Sequence, residues 1–287
     1  MASSEGLVKR RRGGGSSSQF SLDGLSKKNS DESLNKSDDE KDEYGKNKLT
    51  ILEEVLLLGL KDSQGYLSFW NENISYALRG CILIELSLRG RIAIMKEVRK
   101  RPLQDRIVEV VNDTPTGEVL LDEALKYMKM EQQSVLTWID LLCGETWNLM
   151  KIGYQLKQVR ERIAKGLVDK GVLRTEKKNF VLFDMATHPI ADFSVKERLI
   201  QRVINVLLGR VAKPDKRTIA MLCSAYAADV LDNALIGLNA NQKDAAYQKV
   251  DELLQENALW TDKAKSMGTT EVMAAVYSVY TRMESIL

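Results

Sequence analysis

The sequence predicts a mostly α protein: a helical domain around a central hydrophobic helix bundle, with a β-hairpin and a short β-ribbon, preceded by a disordered N-terminal tail. Three observations predict it. In FWNENISYALRGCILIELSLRGR, residues 69–91, the apolar positions Ile74, Ala77, Leu78, Cys81, Ile82, Leu83, Ile84, Leu86 and Leu88 cover most of a helix surface instead of one stripe, which suits a helix enclosed by others. Amphipathic stretches with three- and four-residue apolar spacing follow through the rest of the chain. Residues 1–48 hold ten Ser, ten Lys or Arg and nine Asp or Glu with few large apolar groups, too little to offset chain entropy. The chain therefore divides into a Ser-rich tail of mixed charge, 1–48, and a single helical domain, 49–287.

Order begins at Thr50-Ile51-Leu52-Glu53, where Thr and Glu three apart form a capping box ahead of Val55-Leu56-Leu57-Leu58. That first helix stops near Asp62–Gly65. After the central helix, Arg91–Ile94 and Arg106–Val111 are short, β-rich and separated by a basic linker, the pattern of a two-stranded ribbon. Thr114-Pro115 starts a further helix, with Pro where its missing N–H is harmless. Residues 135–170 are helical again, interrupted near Gly144. In their second half Leu156, Val159, Ile163 and Leu167 make one stripe; on a continuous helix Arg160 lies about 40° and Lys157 about 100° round from Leu156, on one flank. Gly171 is a helix stop. Val172–Thr175 and Phe180–Phe183 then bracket polar Glu176–Asn179 as a hairpin whose strands are unusually apolar. A capping box at Ser194 and Glu197 opens a helix over 194–209, and helices at 216–238, 241–257 and 271–285 complete the domain.

The composition excludes several functions. With 42 basic and 40 acidic residues the net charge is +2, so no global field favours nucleic acid or membrane and any such binding is local. Cys81, Cys143 and Cys223 are odd in number and set among apolar residues, as reduced core cysteines are. The Lys9-Arg10-Arg11-Arg12 run has no apolar stretch behind it and is not a signal peptide, and no apolar run nears the ~20 residues of a membrane span. Ser37-Asp38-Asp39-Glu40 is a weak phosphorylation signal. The single histidine, His188, sits in Thr-His-Pro, a turn context. The sequence lacks phosphate-loop, GxSxG, HExxH and CxxC patterns. We therefore expect no catalytic residues, no metal and no cofactor.

What needs explanation is Arg79, a cation inside the all-apolar helix, with Trp70 nine residues before it. Two readings use it. A helix followed by a hairpin outlines a winged-helix module whose Lys157, Arg160, Arg162 and Lys165 contact nucleic-acid phosphates, although residues 49–287 carry a net charge of only +1. Alternatively Trp70, Arg79, Lys157 and Arg160 hold an anionic lipid head group, with the apolar hairpin beside them entering the acyl region. A purely structural role for all four, in core packing and helix-carbonyl contacts, stands beside both.

The strings LTILEEVLLLGLKDSQGYLSFWNENISYALRGCILIEL, TGEVLLDEAL, LLCGETWN and YQLKQVRERIAKGLVDKGVLRTEKKNFVLFDMATHPI closely resemble the Golgi phosphoprotein 3 family over residues 49–287, in detail its fungal, vacuolar-sorting type. The resemblance implies a non-enzymatic adaptor, peripheral on the cytoplasmic face of the Golgi membrane with a cytosolic pool. It implies binding to phosphatidylinositol 4-phosphate and to cytosolic tails of Golgi glycosyltransferases, and recruitment of coatomer for retention or retrograde sorting, with no nucleic acid as partner. It places the lipid pocket on Trp70, Arg79, Lys157 and Arg160, with Lys157 where animal members have Arg. It implies a hairpin for membrane insertion and self-association into homo-oligomers, here Leu173, Arg174, Phe180, Val181, Leu182 and Phe183, and a coatomer contact at Lys9, Arg10, Arg11 and Arg12.

Overall fold

A computed structural model describes residues 49–60, 72–96, 101–180, 183–259 and 269–284. In chain order the elements are α1 (Ile51–Gly59), α2 (Glu72–Leu88), β1 (Ile92–Ile94), β2 (Val108–Val110), α3 (Val119–Met130), α4 (Val135–Cys143), α5 (Val159–Asp169), β3 (Glu176–Phe180), β4 (Phe183–Thr187), α6 (Phe193–Leu207), α7 (Lys216–Ala227), α8 (Asp232–Leu235), α9 (Ala240–Ala258) and α10 (Thr269–Glu284). Short 3₁₀ turns lie at Leu103–Asp105 and Leu149–Tyr154. The protein is mostly helical, as its sequence predicts.

α2 is the hub and packs against α1, α3, α4, α7 and α10. Its residues from Ala77 to Ser87 are all buried, Arg79 and Glu85 included. Gly80 sets the approach of α10, since a Cβ there would run into the Tyr280 ring, whose hydroxyl donates to the Ala77 carbonyl at 2.8 Å. The first helix is as enclosed as the hub, with every residue from Ile51 to Gly59 buried. Its charges survive there because each has a partner. Glu53 closes the expected capping box with Thr50 and accepts from Lys170 Nζ at 2.7 Å, and Glu54 accepts from Arg202 at 2.5 Å. Glu85 of α2 accepts from the Ile51 amide, Arg89 and Arg217, stitching three elements through one buried carboxylate.

β1 and β2 pair antiparallel with Ile92 opposite Val110, the expected ribbon. Other boundaries move. The helix expected from Thr114-Pro115 begins at Val119; the Asp122 carboxylate folds back onto the Thr116 and Gly117 amides and occupies the intervening residues in a turn. The N-cap of α6 is Asp192, accepting from the Ser194 amide at 2.9 Å, in place of the Ser194–Glu197 box. The helix expected over 216–238 breaks after Ala227, where Asp229 takes a positive φ of 56°.

The hairpin is displaced from its expected position. Its strands are 176–180 and 183–187, with Phe180 opposite Phe183, while Val181 and Leu182 lie between them, outside the described residues. Val172 and Leu173 belong to no strand. They are buried, and Leu173 bridges to Ile190 at the root of the hairpin, so Leu173 anchors the hairpin and offers no outward surface. Arg174 is exposed and pairs with Glu176 at 2.7 Å. Of Phe180 and Phe183 the backbone pairing alone is described.

Candidate functional site

Arg79 lies one turn after Ser75 on α2, and its guanidinium reaches out of the helix towards the chain between α4 and α5. Nη1 donates to the Ser75 carbonyl at 3.0 Å and to Ser75 Oγ at 2.8 Å, Nε to the Leu142 carbonyl at 3.3 Å, and Nη2 to the Leu156 carbonyl at 3.0 Å. The residue is 6% exposed. Burial pulls its pKa below the ordinary guanidinium value, yet a guanidinium stays charged at any physiological pH. The structural role weighed from sequence is therefore real: Arg79 clasps both ends of the 143–155 excursion.

Those ends meet directly. The Leu156 amide donates to the Leu142 carbonyl at 3.1 Å, and Gln155 Nε2 donates to the Cys143 carbonyl at 3.1 Å. Gly144, at φ 88°, both takes the left-handed turn and leaves the space that Gln155 fills. Burial pushes the Cys143 thiol up to about 12, so it stands beside Arg79 as a neutral group.

Lys157 follows immediately and is exposed. Next, Gln158 has a φ of 51°, an unusual value for a residue with a side chain, and its side chain does not cap the helix that starts at Val159. This corrects the expected geometry. Lys157 does not share a helix flank with Arg160; it comes from the turn before the helix, while Arg160 stands in the first turn, half-buried. Arg160 is close enough to Arg79 to perturb it electrostatically. The structure thus brings Arg79, Lys157 and Arg160 to the uncapped N-terminus of α5. Trp70 and Lys9–Arg12 lie outside the described residues.

Of the other cations on and beside α5, Arg162 pairs with Glu123, and Lys170, just past its end, with Glu53 and Glu118, whereas the side chains of Lys157, Arg160 and Lys165 make no hydrogen bond or ion pair among the described residues. Lys157 and Arg160 stand at the start of the helix, where amide N–H groups and the helix dipole also favour an anion. Further along the helix Arg162 is neutralised by Glu123, while Lys165 is exposed. His188 lies near Glu161, and burial keeps its pKa below the usual imidazole value. Two clefts elsewhere, about 230 Å³ around Glu53, Glu118 and Lys165 and about 830 Å³ around Arg198, Arg202 and Lys213, contain charges of both signs.

Fold and site together define a class: a mostly helical domain with two small β elements and cations gathered at one helix start. The chain belongs to the Golgi phosphoprotein 3 (GPP34) family, whose model matches residues 51–271. It is similar to vacuolar protein sorting-associated protein 74 of Schizosaccharomyces pombe, 52% identical over 279 residues that take in 84% of this chain and 83% of the relative. It is also similar to the protein of that name in Eremothecium gossypii, 49% identical over 279 residues, 83% of this chain and 84% of the relative.

Proposed function

We propose that this protein is a peripheral Golgi membrane adaptor that binds phosphatidylinositol 4-phosphate and links cytosolic tails of Golgi glycosyltransferases to coatomer for retention and retrograde sorting. The names of its family and relatives, which speak of the Golgi and of vacuolar protein sorting, support the compartment and the task. Among the described residues no helix is long and apolar enough to cross a membrane, and a peripheral mode of attachment needs none.

The observation that carries the lipid assignment is the pair Lys157 and Arg160, without hydrogen-bond or ion-pair partners among the described residues, at an uncapped helix start beside buried Arg79. Arg160 supplies a fork matched to phosphate, Lys157 a point charge on a mobile stem, and Trp70 the aromatic wall. The hairpin at 176–187 supplies further contact with the bilayer or with another copy. Lys9–Arg12 reaches coatomer. Because one head group binds with finite affinity, a cytosolic pool accompanies the bound one.

The test is flotation with phosphatidylcholine vesicles carrying phosphatidylinositol 4-phosphate. Losing one charge-assisted contact costs about 1.5 to 3 kcal/mol, so Arg160→Ala should bind about ten- to a hundredfold more weakly, with an unchanged melting temperature. Lys157→Arg should bind at least as well as wild type, because it restores a fork. Flotation of Arg160→Ala and Lys157→Ala indistinguishable from wild type would remove this pocket.

A further inference from the structure

We infer that the excursion at 144–154 is a membrane-entering wedge built into the cation site, a second contact beyond the hairpin; this rests on the membrane-binding reading above. Its apolar side chains are displayed, not packed. Trp147 is 104% exposed, Leu149 81% and Met150 90%, with Ile152 at 42% just behind them. Large apolar side chains clustered on one tip are costly in water unless something covers them.

Several amides of this tip are already paired within it. The Thr146 amide donates to the Gly144 carbonyl, the Asn148 amide to Thr146 Oγ1, the Met150 amide to Asn148 Oδ1 at 3.0 Å, the Lys151 amide to the Asn148 carbonyl at 2.8 Å, and the Gln155 amide to the Ile152 carbonyl at 3.1 Å. Lys151 is paired with Glu131 at 2.6 Å. Such pairs lower the number of polar groups the tip would strand at the edge of a bilayer. Indole, thioether and isobutyl groups at the tip suit the boundary between head groups and acyl chains, where Trp in particular collects.

Its anchorage says what covers it. Arg79 holds the carbonyls of Leu142 and Leu156, the two ends of the excursion, and Lys157 leaves from the second end. The backbone of the wedge and the turn that carries Lys157 are therefore held to one frame by Arg79, and a lipid phosphate at Lys157 and Arg160 would bring the bilayer to the chain that leads into the wedge. A protein partner is disfavoured by size: a specific interface needs roughly 1,000 Å² or more, and four side chains fall well short, whereas a membrane contact needs only a few. The occupant is an anionic bilayer.

The experiment uses the full chain and vesicles of phosphatidylcholine with phosphatidylinositol 4-phosphate, with and without brominated acyl chains. Bromolipid should quench tryptophan emission of the wild type, and Trp147→Phe should remove most of that quenching while still floating. Leu149→Ser/Met150→Ser, with unchanged circular dichroism, should float about tenfold more weakly, yet bind the soluble head group inositol 1,4-bisphosphate as wild type does. Quenching retained in Trp147→Phe, or flotation of the double variant equal to wild type, overturns the wedge and leaves the head-group site standing. A double variant that floats normally but loses oligomer mass makes the tip a protein contact and overturns it too. Wild-type protein that binds no vesicles refutes the membrane reading itself, and the wedge with it.

Discussion

Replacing Arg79 by Ala removes four hydrogen bonds from one guanidinium. It takes a donor from each of the Leu142 and Leu156 carbonyls and leaves a hole where the side chain was 6% exposed. Each buried bond to a charged group contributes about 1.5 to 3 kcal/mol. The Leu142 carbonyl keeps the Leu156 amide as a partner, so the losses do not sum fully, and about 3 to 5 kcal/mol is the expected total, as for breaking other buried charged networks. In a domain of this size that lowers the melting temperature on the order of 10 °C. Arg160→Ala, by contrast, removes a side chain with no bonded partner among the described residues and should fall within about 0.5 kcal/mol of wild type. Urea unfolding followed by circular dichroism separates the two, and limited proteolysis should cut Arg79→Ala within 144–154 well before global unfolding. Arg79→Lys keeps the charge but not the three-directional fork and should recover only part of the stability. If Arg79→Ala unfolds at the same urea concentration as Arg160→Ala and resists proteolysis equally, the clasp is wrong. Loss of lipid binding in Arg79→Ala alone is therefore no measure of phosphate contact.

Three further outcomes are expected. Burial raises the Glu85 carboxyl, but Arg217, the Ile51 amide and Arg89 outweigh it and hold its pKa below the ordinary 4.5; its contribution is thus present above the unfolded value and lost as pH falls through the folded one, so the urea midpoint should drop below about pH 4.5 and Glu85→Gln should flatten that drop. Replacing 177–186 by a Gly-Ser linker should leave helicity intact and lower both vesicle binding and the oligomer mass measured by light scattering; if both survive, the hairpin is a structural ribbon. Alanine at Lys9, Arg10, Arg11 and Arg12 should leave the melting temperature unchanged and weaken coatomer pull-down, and an undiminished pull-down assigns the cluster to solvated charge.

Where the sequence was legible, a local signal had a single cause. Thr50 and Glu53 announce a helix start because the two bonds of a capping box need only those residues, and the all-round apolar run of α2 announces burial. It failed where one pattern serves two structures. Leu156, Val159, Ile163 and Leu167 are all buried, so their spacing runs smoothly through the left-handed Gln158 and conceals the break that frees Lys157. Val172 and Leu173 look like strand residues, but their apolarity serves the core, while Glu176-Lys177-Lys178 looks like a loop although it pairs in the hairpin. Periodicity also cannot tell an apolar residue in a core from one on display, which is why Trp147, Leu149 and Met150 gave no sign of their exposure. Nor could it show that α1 is enclosed on all sides, because the partners of Glu53 and Glu54, Lys170 and Arg202, are more than a hundred residues away in the chain.

The residue types at the site follow from what each must satisfy. Position 79 bonds in three directions at once, to its own helix, to the end of α4 and to the turn before α5, and an ammonium on one carbon stem cannot span that set. Burying a cation there is tolerable because every bond is also structural, so the charge is fixed before any ligand arrives and ordering it costs nothing on binding. Lys157 has no such duty: it is exposed, without a partner among the described residues, and leaves the chain at a turn whose direction Arg79 has already set through the Leu156 carbonyl. A flexible point charge serves there because position, not orientation, is all a single phosphate oxygen demands. On the proposed reading the site thus divides its labour, with a locked guanidinium setting the frame, a mobile ammonium and Arg160 completing it, and the 144–154 excursion held by the same clasp.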